Sequence, residues 1–154
     1  MEHDASGRLT LSRNPASEET RFTYDLNGNL HTLLVPTNFL HELGSNLVDL
    51  FSGYKTPNGN QSTVIYEFDK NISQKLRADG KAISYVYEPA NSRRLLEVKT
   101  PDQNVAVEYH LGSDNVSQVR TSDGSRIAYG YNGDSVIAKT YELPFYLGLN
   151  LSYR

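Results

Sequence analysis

Residues 24–30 read YDLNGNL, with acids and amides at the alternate spacing of a calcium loop. Asp25, Asn27 and Asn29 would take the first, third and fifth positions of an EF-hand. The sixth position needs glycine and holds Leu30; the twelfth needs a bidentate glutamate and holds Pro36. Calcium chemistry therefore lacks its turn and its anchor. The acid pair Glu18-Glu19 has the residue types of a glycosidase, but neighbouring residues on a strand point to opposite faces. His3, His31, His41 and His110 show no ligand spacing, the serines lack a nucleophile elbow, and no glycine loop suits a phosphate. No metal, cofactor or catalytic residue is expected, and the chain is read as a non-enzyme.

Composition narrows the remaining classes. The chain has 154 residues and a net charge of −3, with no Lys/Arg run that could follow a phosphate backbone, which argues against a nucleic-acid partner. It has no cysteine, so neither a disulfide framework nor a thiolate site is available. No apolar run approaches the ~20 residues of a membrane helix. The opening MEHDASGRL has neither the basic nor the apolar part of a signal peptide. Tyrosine is abundant, eleven copies against five Phe and no Trp, and it suits half-buried pleated surfaces.

Those tyrosines recur in phase. Tyr131 lies 22 residues after Tyr109, Tyr109 lies 22 after Tyr87, and Tyr153 lies 22 after Tyr131. Phe68 is 19 before Tyr87, Tyr24 is 44 before Phe68, and His3 is 21 before Tyr24. The missing member belongs near residue 45, within HELGSNLVD. Apolar residues two and four positions earlier complete a strand with one buried face. A polar residue follows each marker, including Asp4, Asp25 and Asp69. Turn signals TPNG (56–59), RADG (77–80), TPDQ (100–103) and TSDG (121–124) precede the strands, and they suggest tight primed hairpin turns. Residues 36–51 also carry leucines at helical spacing, but Gly44 interrupts them and the period predicts a degenerate hairpin over 36–52.

The segments HDASGRLT (3–10) and YDLNGNL resemble the YD-repeat, or Rhs repeat, whose motif runs Tyr-Asp-x-x-Gly-Arg-Leu. Asp4, Gly7, Arg8 and Leu9 match in the first copy; Tyr24, Asp25, Gly28 and Leu30 match in the second, where Asn29 replaces the arginine. Such repeats occur in bacterial Rhs proteins, in the C components of insecticidal toxin complexes and in teneurins. The resemblance implies β-hairpins joined in a spiralling shell that encloses a toxin or presents an adhesive surface. It implies a secreted or cell-surface location, with neighbouring repeats, an enclosed toxin domain or a surface glycan or protein as partners. The family's self-cleavage centre uses an Asp-Pro pair, and no Asp-Pro occurs here.

The expected fold is all-β: consecutive antiparallel hairpins of about 22 residues in one twisted, curved sheet. The repeat markers are His3, Asp4, Gly7, Tyr24, Asp25, Gly28, Phe68, Asp69, Tyr87, Tyr109, Tyr131 and Tyr153. The chain reads as a single array over 1–154 that is cut in mid-repeat at both ends, without polar caps, so edge-to-edge self-association is expected. The function implied is structural. The competing reading is a carbohydrate- or protein-binding module that uses exposed Tyr rows. If the Tyr column is fully buried, Tyr109→Ala or Tyr131→Ala should cost roughly 3–5 kcal/mol.

Overall fold

A computed structural model describes residues 1–89 and 93–144, and the backbone of 151–153. The described residues contain strands and turns and no helix. The fold is all-β, built of consecutive antiparallel hairpins. Two compact units divide the chain: Met1–Ile65 with Lys75–Lys81, and Tyr66–Gln74 with Ala82–Arg154.

In the first unit the strands are β1 (Glu2–His3), β2 (Leu9–Arg13), β3 (Glu19–Tyr24), β4 (Leu30–Leu34), β5 (Leu40–Ser45), β6 (Phe51–Lys55) and β7 (Gln61–Tyr66). Tyr66, the last residue of β7, is counted in the second unit, and β8 (Ile72–Leu76) has residues in both. The second unit continues with β9 (Ala82–Tyr87), β10 (Leu95–Lys99), β11 (Asn104–Tyr109), β12 (Val116–Thr121), β13 (Arg126–Asn132), β14 (Ser135–Glu142) and β15 (Leu151–Tyr153). From β1 to β7, and again from β9 to β15, each strand pairs antiparallel with the next in sequence.

Residues 36–51 show why the helical spacing loses. The segment is strand, turn and strand: β5, a turn at Asn46–Leu50, and β6. Gly44 stands opposite Gly53 in the ladder. A Cβ on Gly53 would lie 2.8 Å from the Ser62 carbonyl oxygen, so only glycine allows β6 this close to β7. Leu47 and Val48, which a helix would turn inward, stand exposed in the turn.

Alternate hairpins repeat one irregularity. After Thr23↔Thr32 the ladder jumps to Tyr24↔Leu30, which leaves His31 as an extra residue on the outgoing strand. Gly44↔Gly53 jumps to Ser45↔Phe51, Glu108↔Gln118 to Tyr109↔Val116, and Gly130↔Ala138 to Tyr131↔Val136. A β-bulge thus sits at the end of the incoming strand, at Tyr24, Tyr109 and Tyr131 and also at Ser45, where it sharpens the local twist. The sequence carries no glycine or other mark of it.

Burial is shallow. Leu11 (6% exposed) is the buried apolar side chain, Gln118 (8%) is the buried polar one, and no described side chain is fully buried. Gln118 sits in a polar row across the second unit. It donates to Glu108, accepts from Arg126 Nε at 2.5 Å, and Arg126 in turn donates to Glu142 at 3.0 Å. Tyr24 in the first unit, and Tyr87, Tyr109 and Tyr131 in the second, are half-buried, so these tyrosines lie on the faces of paired strands and not in a closed core. The full 3–5 kcal/mol therefore does not apply, and Tyr109→Ala should cost about 1–3 kcal/mol, the transfer cost of a partly covered ring.

The close approach at Gly53 can be tested in the same way. Gly53→Ala should destabilise the first unit by about 1–3 kcal/mol through overpacking against backbone. Gly59→Ala meets no atom within 4 Å, and only its φ of 82° resists the change, so it should cost about 1–2 kcal/mol. Urea denaturation of each variant measures both.

Candidate functional site

The feature that recurs with chemistry in it is the turn that closes each hairpin. In the turn at 4–8 the Asp4 N–H donates to the Arg8 carbonyl at 2.9 Å, and the Gly7 N–H donates to the Asp4 carbonyl at 3.0 Å. The same pair of bonds closes 14–18, 25–29, 35–39, 46–50, 56–60, 67–71, 77–81 and 121–125. This is a three-residue loop, a type I turn followed by one left-handed residue. It differs from the two-residue primed turns that the Asn-Gly and Asp-Gly pairs suggested. Two-residue loops occur at Asn132↔Ser135, with Gly133 (φ 58°) first in it, and at Thr100–Gln103, where the Thr100 N–H donates to the Gln103 carbonyl at 3.0 Å.

The left-handed residue marks the period. It falls at Gly7, Ser17, Gly28, Asn38, Asp49, Gly59, Lys70 and Gly80, at intervals of ten and eleven residues in alternation. Gly28 takes its φ of 93° without strain, whereas Asp49 holds a φ of 61° against the clash of its own Cβ.

A side-chain acceptor at the first turn position completes several of these corners. Asp25 Oδ1 accepts the N–H groups of Asn27 (3.0 Å) and Asn29 (2.9 Å), as Asp4 Oδ1 does from Ser6 and Arg8. Asn14 and Asn46 repeat the arrangement with amide oxygens. The Arg8 N–H, and then the guanidinium of the same residue, hold the Asp4 carboxyl below its ordinary range against the opposing effect of burial. At Asp25 burial pushes the pKa up, and the donors from Asn29, Asn27 and Gly28 outweigh it, so the net direction is again down.

Arginine joins this corner to the next hairpin. Arg8 Nε donates to Asp4 Oδ2 at 2.7 Å, and the guanidinium lies 4.7 Å from the centre of the Tyr24 ring. Tyr24 Oη donates to the Leu9 carbonyl at 2.8 Å. A Cβ on Gly28 would stand 3.0 Å from Arg8 Nη1, so Gly28 also leaves room for the guanidinium. The second unit builds the clamp again. Arg94 donates to Glu88 at 2.6 and 2.8 Å, lies 4.9 Å from the Tyr109 ring centre, and Tyr109 Oη donates to the Leu95 carbonyl at 2.9 Å. Tyr87 Oη makes the equivalent bond to Ile72 at 3.1 Å. The acid–arginine–tyrosine set is thus a fastener between consecutive hairpins.

The markers named from sequence fall in different places. Asp4, Gly7, Asp25 and Gly28 hold equivalent turn positions, and Tyr24, Tyr87 and Tyr109 hold equivalent strand ends. Tyr131 stands opposite Val136, one pair before the end of its ladder, with His110 edge-on against it at 5.7 Å. His3 is an exposed residue of β1 opposite Leu9, and Tyr153 lies opposite Lys139, its side chain outside the described residues. Phe68 is 107% exposed at a turn tip, as Leu26 is in its own turn, and Tyr66 takes the strand-end position. Asp69 is the third residue of its turn, not the first, and its carboxylate accepts the Asn71 N–H at 3.3 Å. Asp79 and Asp123 work from the same third position. Residue 45, where a marker is missing, is Ser45, and the turn after it is intact from Asn46.

The other candidates are occupied by structure. Glu19 pairs with Arg13 (2.8 Å) and Arg21 (2.7 Å), and Glu18 accepts from Asn14. His41 stacks on Tyr54 and shares a hydrogen bond with its hydroxyl, and His31 Nδ1 lies 3.1 Å from the Leu43 carbonyl. Among the described residues no group of three or more histidines and acids is placed to hold a metal ion.

Fold and fasteners together define a β-hairpin repeat protein in which each unit is closed by its neighbour. Residues 3–36 match the RHS Repeat family model. Among solved structures it is similar to "TcdB2-TccC3-TEV" (TM-score 0.70, 16% identity, 91% of this chain and 9% of that one). It is also similar to TcdB2-TccC3 without its hypervariable C-terminal region (0.69, 16%, 91% and 9%). A third match is the Photorhabdus luminescens Tc holotoxin pore (0.63, 17%, 80% and 7%). The chain therefore spans under a tenth of the length of these chains, and identities this low speak for fold. Comparison with curated proteins finds none that matches.

Two measurements probe the corner and the clamp. Tyr24→Phe should cost about 1 kcal/mol for its one hydrogen bond. A double-mutant cycle of Arg8→Ala with Tyr24→Leu should return a coupling of about 0.5–1 kcal/mol, and zero coupling would remove the clamp. Because the folded pKa values of Asp4 and Asp25 are depressed, their contribution is present above the unfolded value and lost as pH falls through the folded one. The urea midpoint should therefore drop between about pH 5 and about pH 3. Asp4→Asn with Asp25→Asn should flatten that drop, since Asn46 shows that an amide closes the same turn.

Proposed function

We propose that this chain is a wall segment of an Rhs/YD-repeat shell, one continuous array that encloses a toxin domain outside the producing cell and performs no catalysis itself. The observation that carries this reading is the fastener. The residues that the repeat motif specifies, an acid, an arginine and a tyrosine, are consumed in joining one hairpin to the next. Phenolic hydroxyls at Tyr24, Tyr87 and Tyr109 bond to backbone carbonyls, which favours a wall over a sugar-stacking surface. The likeness to TcdB2-TccC3 chains supports the toxin-complex setting. The markers His3 to Tyr153 then act as joints of the wall, and neighbouring repeats are its first partners.

Electron cryomicroscopy of the full-length protein tests the proposal. A hollow β-shell with density in its lumen, and a lumenal segment that resists protease until the shell is opened, is the expected result. An extended open array with freely digested flanks would sink it. Glycan-array binding that disappears on Tyr141→Ala, a ring 37% exposed, would favour the lectin-like alternative.

A further inference from the structure

Three Asn-Gly pairs occur, at 27–28, 58–59 and 132–133. In such a pair the glycine amide nitrogen can attack the asparagine side-chain carbon, because no Cβ shields it. Whether it does depends on what holds the carboxamide. Asn27 and Asn58 form a matched comparison, since each is third in a five-residue turn with glycine fourth. Their glycine N–H groups are engaged alike, Gly28 with the Asp25 carbonyl at 3.1 Å and Gly59 with the Thr56 carbonyl at 2.9 Å. Their side chains differ. Asn27 Nδ2 donates to Asp49 Oδ1 on the next hairpin at 2.8 Å, and Asn29 donates to the same oxygen at 2.8 Å. Asn58 is exposed and makes no side-chain hydrogen bond among the described residues. Asn132 is fixed differently, in the ladder opposite Ser135.

We propose that Asn58–Gly59 is a self-modification site, with water as its co-reactant, and that Asp49 protects the equivalent pair at Asn27–Gly28. The Gly59 nitrogen forms a bond to Asn58 Cγ, the Cγ–Nδ2 bond breaks, and the side-chain nitrogen leaves as ammonia with the proton from Gly59. Water then opens the cyclic imide at either carbonyl, to leave an aspartyl or an isoaspartyl residue. No electrons are exchanged. The product adds one negative charge to the turn, and the isoaspartyl form adds a backbone atom to a loop that sets the register of β6 on β7. The carboxylate of Asp49 opposes the same reaction at Asn27 in two ways. It holds the carboxamide away from Gly28, and it would face a new acid in the product.

Incubation of the folded chain in mildly alkaline buffer, followed by peptide mapping with isoaspartyl discrimination, tests this. Asn58 should convert about tenfold faster than Asn27, the factor expected for one hydrogen bond to a charged group. Asp49→Gly, which keeps a residue suited to the left-handed position, should raise the Asn27 rate towards that of Asn58. In denaturant the two rates should become comparable. Equal rates in the folded chain, an Asn27 rate unmoved by Asp49→Gly, or a difference that persists in denaturant would each overturn the proposal.

Discussion

The structure depends on one backbone constraint: in each five-residue turn the fourth residue adopts positive φ, which swings the chain back so that the fifth residue's carbonyl accepts the first residue's N–H. That closure fixes the loop at three residues, and the loop fixes the strand register. Register decides which residues share a face, and so it places Tyr24 over Arg8 and Tyr109 over Arg94. Glycine meets the requirement at Gly7, Gly28, Gly59 and Gly80. Ser17, Asn38, Asp49 and Lys70 meet it at a steric cost that the surrounding hydrogen bonds offset.

The side chains around that constraint are exchangeable in a limited way. The turn needs an oxygen to receive the N–H of its fifth residue, and two geometries supply one. Asp4, Asn14, Asp25 and Asn46 supply it from the first position, and Asp69, Asp79 and Asp123 from the third. The fastener behaves likewise. Where Asn29 replaces arginine, β5, which would carry the facing tyrosine, ends in Ser45, and Asn29 bonds to Asp25 and Asp49.

This explains what could be read from sequence. Alternating apolar residues and Asp-Gly or Asn-Gly pairs located the hairpins and their turns, because strand period and positive φ leave direct marks. The aromatic column gave the repeat at Tyr24, Tyr87 and Tyr109. Phe68-Asp69 imitates the aromatic-acid pair of the marker, but Tyr66, 21 residues before Tyr87, holds the strand end, and Asp69 serves its turn from the third position. The bulge residue His31 and its equivalents left no trace, since any residue fits there. Arg94 was invisible as the partner of Glu88 because the loop between them is two residues longer than the loop at 67–71. The role of Asp49 could not be seen either, for its partners Asn27 and Asn29 belong to another hairpin.

Shallow burial has a thermodynamic corollary. Strands whose described side chains all retain some hydration expose little new apolar surface when they open, so the heat-capacity increment and denaturant slope per residue fall below those of a globular domain of equal length. The stability curve is correspondingly flat with temperature. Cohesion comes from hydrogen-bonded neighbours, each hairpin holding only the next, so opening spreads along the chain from hairpin to hairpin and is not a single collapse of a shared interior.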